Sequence, residues 1–305
     1  MKFVPKKIAL CSTFYPGVEP FLRDWYTSVL KQTDRNYQLC IALDEIGVDS
    51  AVPTLGKIPD SVVWTTAEKG ETPAAIRQRL LSQVVEEFDS VVLVDSDDIL
   101  YPGRIAAARQ SLYHGEMVGC ALRLVDHQGL DLGKELNLPP QISPNVIFPR
   151  HNVFGLSNTA WRSSLLKKCL PVPSNAMIVD WFLATRAWLL GASLYFDQRV
   201  CMDYRQYASN STRVCGPFSR EQVIHDTLRV SQHFQLILNS PIQGAIDSRR
   251  KRLLQVAEDV FKFASNVIPD QEKLDLYLVK LDELDLSPLW WSCVAHPSLK
   301  YLWSD

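Results

Sequence analysis

The sequence predicts an α/β protein with a mainly parallel central sheet, followed by a helical extension at the C-terminus. Short apolar runs alternate with helix-like segments from Lys7 to Asp126, and strands that alternate with helices form parallel sheets covered on both faces. The run of residues 91–94 (VVLV) contains no polar residue, as expected for a strand buried on both sides. Beyond Ser219 the spacing of apolar residues becomes helical.

Each element of this order has its own local signal. We expect strands at residues 7–12, 38–43, 61–65, 90–94 and 119–126, and helices at residues 20–31, 73–87 and 102–113. Residues 130–149 are rich in proline and asparagine and lack periodicity, which predicts a loop or lid. Order returns at residues 158–168, in an apolar helix at 180–190 closed by Gly191, and in strand-like segments at 193–196 and 199–207. Helices are then expected at 221–238, 246–267 and 270–284, so we divide the chain into residues 1–216 and 217–305.

Composition is typical of a globular protein that does not bind nucleic acid. The 305 residues are 47% hydrophobic and 22% charged, enough to build a large core. Lys and Arg total 32 against 34 Asp and Glu, a net charge of -2, whereas nucleic-acid binding requires a basic face. The basic run at residues 249–252 is interpreted as a solvated helix face, with contact to an anionic membrane surface as the alternative.

Cysteine spacing and hydropathy indicate the cellular compartment in which the protein is expected. The seven cysteines are scattered and form no CxxC pair, so neither a disulfide framework nor a zinc site is predicted. The basic N-terminal residues precede no long apolar segment, and no apolar stretch approaches the ~20 residues that span a bilayer. We expect a cytoplasmic protein and leave peripheral membrane association open.

Three aspartates directly follow the strand at residues 90–94 and form the strongest candidate site. Ligands of parallel sheets bind beyond the carboxyl ends of strands. Asp95 and Asp97, two apart, point to one side in an extended chain, and their charges repel unless a cation lies between them. Carboxylate oxygens suit Mg²⁺ or Mn²⁺, which bridge diphosphates to proteins. Alternatively, Asp95, Asp97 and Asp98 form a turn or cap the helix near Pro102.

Several segments together resemble one enzyme family. They are residues 8–15 (IALCSTFY), 21–33 (FLRDWYTSVLKQT), the strand ending at Asp44, Gly70 with residues 76–79 (IRQR), and residues 92–102 (VLVDSDDILYP). Their order and spacing resemble the family 2 inverting glycosyltransferases of GT-A fold, over roughly two thirds of the chain. The resemblance implies transfer of a sugar from a nucleotide-diphosphate sugar, with a UDP-sugar favoured, to an acceptor hydroxyl. It also implies a divalent metal, and surface glycan or polysaccharide synthesis as the setting.

The resemblance assigns the donor side of the site. Thr13 and Asp44 would line the pocket for the nucleotide base, and Arg77 would lie near the base or the phosphates. Asp95 would lie near the ribose and the metal, and Asp97 would hold the metal. Taken singly, Thr13 and Asp44 are equally typical of turns at strand ends, and Arg77 of a helix surface.

The acceptor side is assigned from residues 178–181 (IVDW). The family usually places two acids before the tryptophan; here Val179 replaces the first, which leaves Asp180 as the candidate base for the acceptor hydroxyl. Asp180 could instead be a helix N-cap. Trp181 offers an aromatic face for an acceptor sugar, and its alternative is a core position.

Residues 204–207 depart from the family's pattern at one position. Residues 204–207 (YRQY) resemble the family's Tyr-Arg-Gln-His, with Tyr207 in place of the histidine. That replacement puts an imidazole ligand in doubt and leaves Arg205 as a candidate partner of the donor phosphates. Val179 and Tyr207 keep open a degenerate fold that serves as a binding or scaffold protein. A sugar-phosphate nucleotidyltransferase ranks lower, because residues 12–20 contain only one glycine and no arginine.

The resemblance does not account for the aromatic C-terminal tail. It contains Trp290, Trp291, Tyr301 and Trp303. We expect these side chains to pack on the first domain; the alternative is an exposed patch for oligomer or membrane contact.

Overall fold

The computed structural model describes residues 3–49, 55–56, 61–207, 213–284 and 286–304. Its strands are β1 (Ile8–Phe14), β2 (Gln38–Leu43), β3 (Val63–Thr66), β4 (Ser90–Leu93), β5 (Ile99–Leu100), β6 (Met117–Val125), β7 (Asp131–Leu136), β8 (Thr159–Arg162) and β9 (Leu194–Arg205). Its α-helices are α1 (Glu19–Leu30), α2 (Pro73–Glu87), α3 (Arg104–Ser111), α4 (Pro144–Ile147), α5 (Ser163–Cys169), α6 (Val179–Leu189), α7 (Arg220–Asn239), α8 (Asp247–Asn266) and α9 (Gln271–Asp282). A 3₁₀-helix at Pro297–Leu302 follows.

The strands form one mixed sheet in the order β3-β2-β1-β4-β8-β6-β9-β5, with β7 on β6. β1 is parallel to β2 and β4, and β2 is parallel to β3, as the strand-helix alternation predicts. β8 is antiparallel to both neighbours, while β6 and β9 are parallel. The predicted α/β class is confirmed, and parallel pairing dominates its first half.

The segment at residues 130–149 is structured, which corrects the prediction of a loop. β7 pairs antiparallel with β6, opposing Leu136 to Leu122, since a short turn between two strands gives antiparallel neighbours. α4 then begins after Ser143, whose hydroxyl accepts from the backbone N–H of Asn145 at 3.3 Å. β7 buries only its last residue, so it lacks the alternation of apolar and polar residues from which strands are predicted.

The C-terminal helices share the hydrophobic core of the sheet domain. Trp181 on α6 stacks on His233 of α7 with ring centroids 4.3 Å apart. Trp290 is buried against Gly155 and Trp291 against Trp181, which confirms for these two the prediction that they pack on the first domain. Trp303 is buried against Phe263 and Tyr277 of the extension instead, and Tyr301 is 62% exposed. The division at residues 216 and 217 stays a prediction.

Two further predictions concern the surface and the thiols. The seven cysteines form no disulfide and all lie in the described part of the chain. Arg250 is exposed, as expected of a solvated helix face, whereas Arg249 and Arg252 donate to main-chain carbonyls. Among the helices of the described residues, none combines the length and the apolar character that a bilayer crossing needs.

Candidate active site

A cavity of about 640 Å³ opens where β1, β2 and β4 end, at the carboxyl edge of the parallel strands, where ligands of such sheets bind. Loops after these strands, the first turn of α6 and the C-terminal tail form its walls. Its charged lining residues are Asp44, Glu45, Glu71, Arg77, Asp95, Asp97, Asp180 and Arg229.

The loop after β4 directs two of its three aspartates into this cavity. Ser96 Oγ donates to the carbonyl of Thr13 at 2.6 Å, which ties the loop to β1. Asp95 and Asp97 line the cavity, so they lie on one side as predicted. Asp98 instead accepts from the N–H of Arg205 at 2.8 Å and from Ser157 Oγ. None of the three caps α3, whose N-cap is Gly103 without a side-chain bond.

Burial and neighbouring charges raise the pKa of two of these aspartates, Asp95 and Asp98. Burial raises the pKa of Asp95 to about 6, and the charge of Asp97 adds to the rise. Burial, with the charges of Asp97 and Asp95, raises the pKa of Asp98 well above its usual value. A bound cation would relieve this repulsion, because it favours the ionised form of every carboxylate near it.

The carboxylates of the cavity fit a metal ion that binds together with a diphosphate. Within the described ranges, no group of three or more His, Cys, Asp or Glu side chains is arranged to hold a metal ion. Mg²⁺ usually binds through one or two carboxylates plus phosphate oxygens and water, and Asp95 and Asp97 would supply two carboxylates. Asp98 is already engaged by Ser157 and by the backbone of Arg205.

Tyr207, which stands where the resemblance has histidine, contacts the candidate metal ligand. Its hydroxyl donates to Asp97 Oδ2 at 2.7 Å and lies 3.5 Å from the hydroxyl of Tyr15. Burial, together with the nearby charge of Asp97, raises the pKa of the Tyr207 phenol. The replacement therefore keeps a neutral hydrogen-bond donor beside Asp97.

The residues assigned to the donor side lie together. Thr13 borders a small crevice beside the cavity, along with Arg77 and Asp95, and Asp44 lines the cavity itself. Burial raises the pKa of Asp44, and the charge of Arg77 opposes the rise for Asp44, Asp95 and Asp180 alike. Arg77 Nε is buried without a hydrogen-bond partner in the described structure, and the Arg77 side chain lines both the crevice and the cavity.

Arg205 does not face the cavity, which corrects the prediction that it contacts donor phosphates. Its side chain is 1% exposed. The guanidinium donates to the carbonyls of Asp97 and His127 at 2.8 Å each, and it lies 4.7 Å from the ring centroid of Phe21. A buried guanidinium needs such acceptors, and Arg205 thereby supports the loop that carries Asp97.

Asp180 occupies the first turn of α6 and faces the cavity. It is not the N-cap, which is Ile178. Burial raises the pKa of Asp180 to about 7, and the charge of Asp95 contributes. Asn152 Nδ2 donates to Asp180 Oδ2 at 2.9 Å; sequence reasoning missed this buried asparagine, because nothing near it in the chain distinguishes it. A carboxylate that titrates near neutral pH is well matched to general base chemistry.

The tryptophans that line the cavity do not include the predicted Trp181. Trp181 is fully buried between His233 and Trp291, so its predicted role as an acceptor-binding face is corrected to a core position. Trp291 lies parallel to it at 6.3 Å and lines the cavity together with Trp290. Trp290 fills the space above Gly155, where a Cβ would meet its ring at 2.8 Å.

The predicted lid is also absent from the walls of this cavity. No described residue of the segment 130–149 lines it. Val146 and Ile147 instead border a separate cavity beside α8. The lid prediction is therefore wrong for this conformation.

Comparison with known proteins supports the fold. Neither a protein-family model nor a curated protein matches the chain. S. aureus TarS 1-349 in complex with UDP-GlcNAc matches with 14% identity and a TM-score of 0.53, covering 85% of this chain and 73% of that chain. The mannosyltransferase PcManGT from Pyrobaculum calidifontis, in complex with GDP-Man and Mn²⁺, matches with 14% identity and a TM-score of 0.57, covering 93% of this chain and 77% of that one. The protein has a glycosyltransferase fold.

Proposed function

We propose that this protein is an inverting, metal-dependent glycosyltransferase that moves a sugar from a nucleotide-diphosphate sugar to an acceptor hydroxyl. The observation that carries the proposal is the convergence of Asp95, Asp97, Arg77 and Asp180 on one cavity. Its volume of about 640 Å³ lies within the range of small-molecule sites. The likeness to TarS and to the mannosyltransferase supports the same reading.

On the donor side, Thr13 and Asp44 hold the base, Asp95 lies at the ribose, and Arg77 binds phosphate oxygens. We propose a UDP-sugar as donor because of the family resemblance; the TarS complex with UDP-GlcNAc is consistent with it. Asp95 and Asp97 hold Mn²⁺ or Mg²⁺, and the Mn²⁺ complex of the mannosyltransferase supports a metal. When bound, the ion supplies positive charge that stabilises the departing diphosphate.

On the acceptor side, Asp180 acts as general base. The acceptor oxygen attacks the anomeric carbon while the bond from that carbon to the diphosphate oxygen breaks, and the hydroxyl proton passes to Asp180. A single displacement of this kind inverts the anomeric configuration. The setting that we propose, surface glycan or polysaccharide synthesis with a glycan or lipid-linked acceptor, rests on the family resemblance alone. The cytoplasmic location that we propose rests on the cysteine spacing and hydropathy of the sequence.

Slow hydrolysis of the donor tests the mechanism without a known acceptor. Water replaces the acceptor, and NMR follows the sugar released from α-linked UDP-sugars before its anomers equilibrate. We expect the β-anomer first. Release of the α-anomer first would contradict inversion. Binding of the nucleotide without any release, with or without added glycan acceptors, would favour the scaffold alternative that Val179 keeps open.

Loss of the Asn152 side chain should shift the pH dependence of this activity. Asn152→Ala removes an N–H that stabilises ionised Asp180, so the pKa of Asp180 rises. Since a hydrogen bond to a charged group contributes about 1.5–3 kcal/mol, we expect the midpoint to move upward by about one to two pH units. Asn239→Ala, at an exposed helix end, is the control. An unchanged midpoint in the Asn152 variant would remove the link to Asp180.

A further inference from the structure

The C-terminal extension contributes three side chains to the wall of the candidate active site. Arg229 comes from α7, and Trp290 and Trp291 come from the tail. The remaining charged lining residues lie between residues 44 and 180. The site therefore has one wall that belongs to the extension.

This wall is joined to the candidate base. The backbone of Trp290 pairs with that of Asn152 in an isolated antiparallel bridge, and the Asn152 side chain donates to Asp180. Trp290 Nε1 also donates to the hydroxyl of Tyr204 at 3.3 Å. Trp291 has a φ of 67°, a left-handed conformation that bulky residues rarely adopt and that persists where surrounding packing enforces it. The extension thus borders the acceptor side of the cavity.

The charges of the cavity are distributed unevenly. Six carboxylates line it against two arginines, Arg77 and Arg229. Arg77 acts on Asp44, Asp95 and Asp180, and it is the arginine proposed to bind the donor phosphates. The charge of Asp226 acts on Arg229, and that buried carboxylate also accepts from Gln222 and Cys293. Arg229 is therefore a second cation in the wall of the cavity, contributed by the extension.

We propose that the extension forms the acceptor subsite, and that the acceptor carries a phosphate or carboxylate group that Arg229 binds while its sugar ring lies against Trp291. The proposal rests on the glycosyltransferase function above. Guanidinium groups bind phosphate and carboxylate through two parallel hydrogen bonds, and aromatic faces provide apolar contact area for the C–H groups of a sugar.

Calorimetric titration of matched sugars tests this assignment. The full-length protein is first saturated with UDP and Mn²⁺, so that Arg77 and the metal are occupied. Glucose 6-phosphate, glucuronate and glucose are then titrated separately into the wild type, Arg229→Gln and Arg250→Gln. Arg250 is an exposed arginine of α8, and its variant removes the same charge outside the cavity. The two anionic sugars distinguish a phosphate from a carboxylate ligand.

We expect at least one anionic sugar to bind about tenfold more tightly than glucose, since a charged hydrogen bond contributes about 1.5–3 kcal/mol. Arg229→Gln should remove that preference, Arg250→Gln should keep it, and neither should change UDP affinity. Equal binding of the three sugars, or a preference that survives Arg229→Gln, would overturn the proposal. Weaker UDP binding in Arg229→Gln would place Arg229 in the donor site and overturn it too. Failure of UDP and the other nucleoside diphosphates to bind the wild type would instead refute the proposed function.

Discussion

Asp97→Asn should lower donor turnover by about 10³-fold or more. Asp97 lines the cavity with Asp95, and its carboxylate accepts a hydrogen bond from the hydroxyl of Tyr207. Replacing it removes a metal ligand, and a bound metal contributes several kcal/mol of charge stabilisation, with each ~1.4 kcal/mol equal to tenfold in rate. The measurement is nucleotide release from the donor at saturating Mn²⁺, together with the Mn²⁺ concentration that gives half the maximal rate.

The matched control is Asp282→Asn, which removes one exposed carboxylate at the end of α9. Its turnover and its Mn²⁺ dependence should equal those of the wild type. If Asp97→Asn retained turnover and Mn²⁺ dependence within a factor of two of the wild type, the metal would bind elsewhere and the assignment of Asp97 would fail.

Asp180→Asn should lower transfer by about 10²- to 10⁴-fold while leaving nucleotide affinity unchanged. The amide cannot accept the acceptor proton, and loss of a positioned general base has this magnitude. The wild type should show a pH dependence set by Asp180, whose pKa is raised to about 7. Because the base acts when ionised, the rate should fall about tenfold per unit below pH 7 and level off above about pH 8.

Stability provides the control for this variant. The pKa of Asp180 is raised by burial, so its contribution to stability is fully present at low pH, where the unfolded carboxyl is also protonated, and is lost as the pH rises through about 7. At pH 8 the ionised, buried carboxylate is destabilising. Asp180→Asn should therefore be at least as resistant to urea as the wild type at pH 8. A large loss of stability, or a variant with full transfer activity, would contradict the role of Asp180.

Local sequence signals were sufficient for much of the fold. The helix predicted at residues 73–87 has those bounds because Thr72 accepts from the N–H of Ala75 and Pro73 occupies the first turn, which are strong signals for a helix start. β4 was predictable because every residue in it is apolar or small and buried. β7 was not, since its pairing with β6 rather than its own pattern makes it a strand.

The predicted site residues fall into two groups: those whose position follows from the local chain, and those whose orientation depends on distant packing partners. Asp95 and Asp97 follow a strand that must end at the ligand edge of the sheet, so their position follows from the chain itself. Trp181 and Arg205 were predicted to face ligands, but His233 and the carbonyl of Asp97 hold them inside the protein. Which way a side chain points from its element depends on packing partners that are distant in sequence.

The same limit explains what sequence reasoning missed. Arg229 and Trp291 line the cavity although they lie far along the chain from its aspartates, and Asn152 acts on the cavity through its bond to Asp180, 28 residues away. A single asparagine, arginine or tryptophan has no spacing that would indicate a site. Helix packing brings the extension to the cavity, and only the structure shows that it does.

Metal-dependent binding of a nucleoside diphosphate at the Asp95 and Asp97 cluster is tested most directly by calorimetry. UDP, TDP and GDP are titrated into the wild type and Asp97→Asn, each with and without Mn²⁺. We predict that one diphosphate binds the wild type in a manner that requires Mn²⁺, and that Asp97→Asn loses this binding. No binding of any of the three by the wild type would contradict the glycosyltransferase assignment and favour a non-catalytic protein with a glycosyltransferase fold.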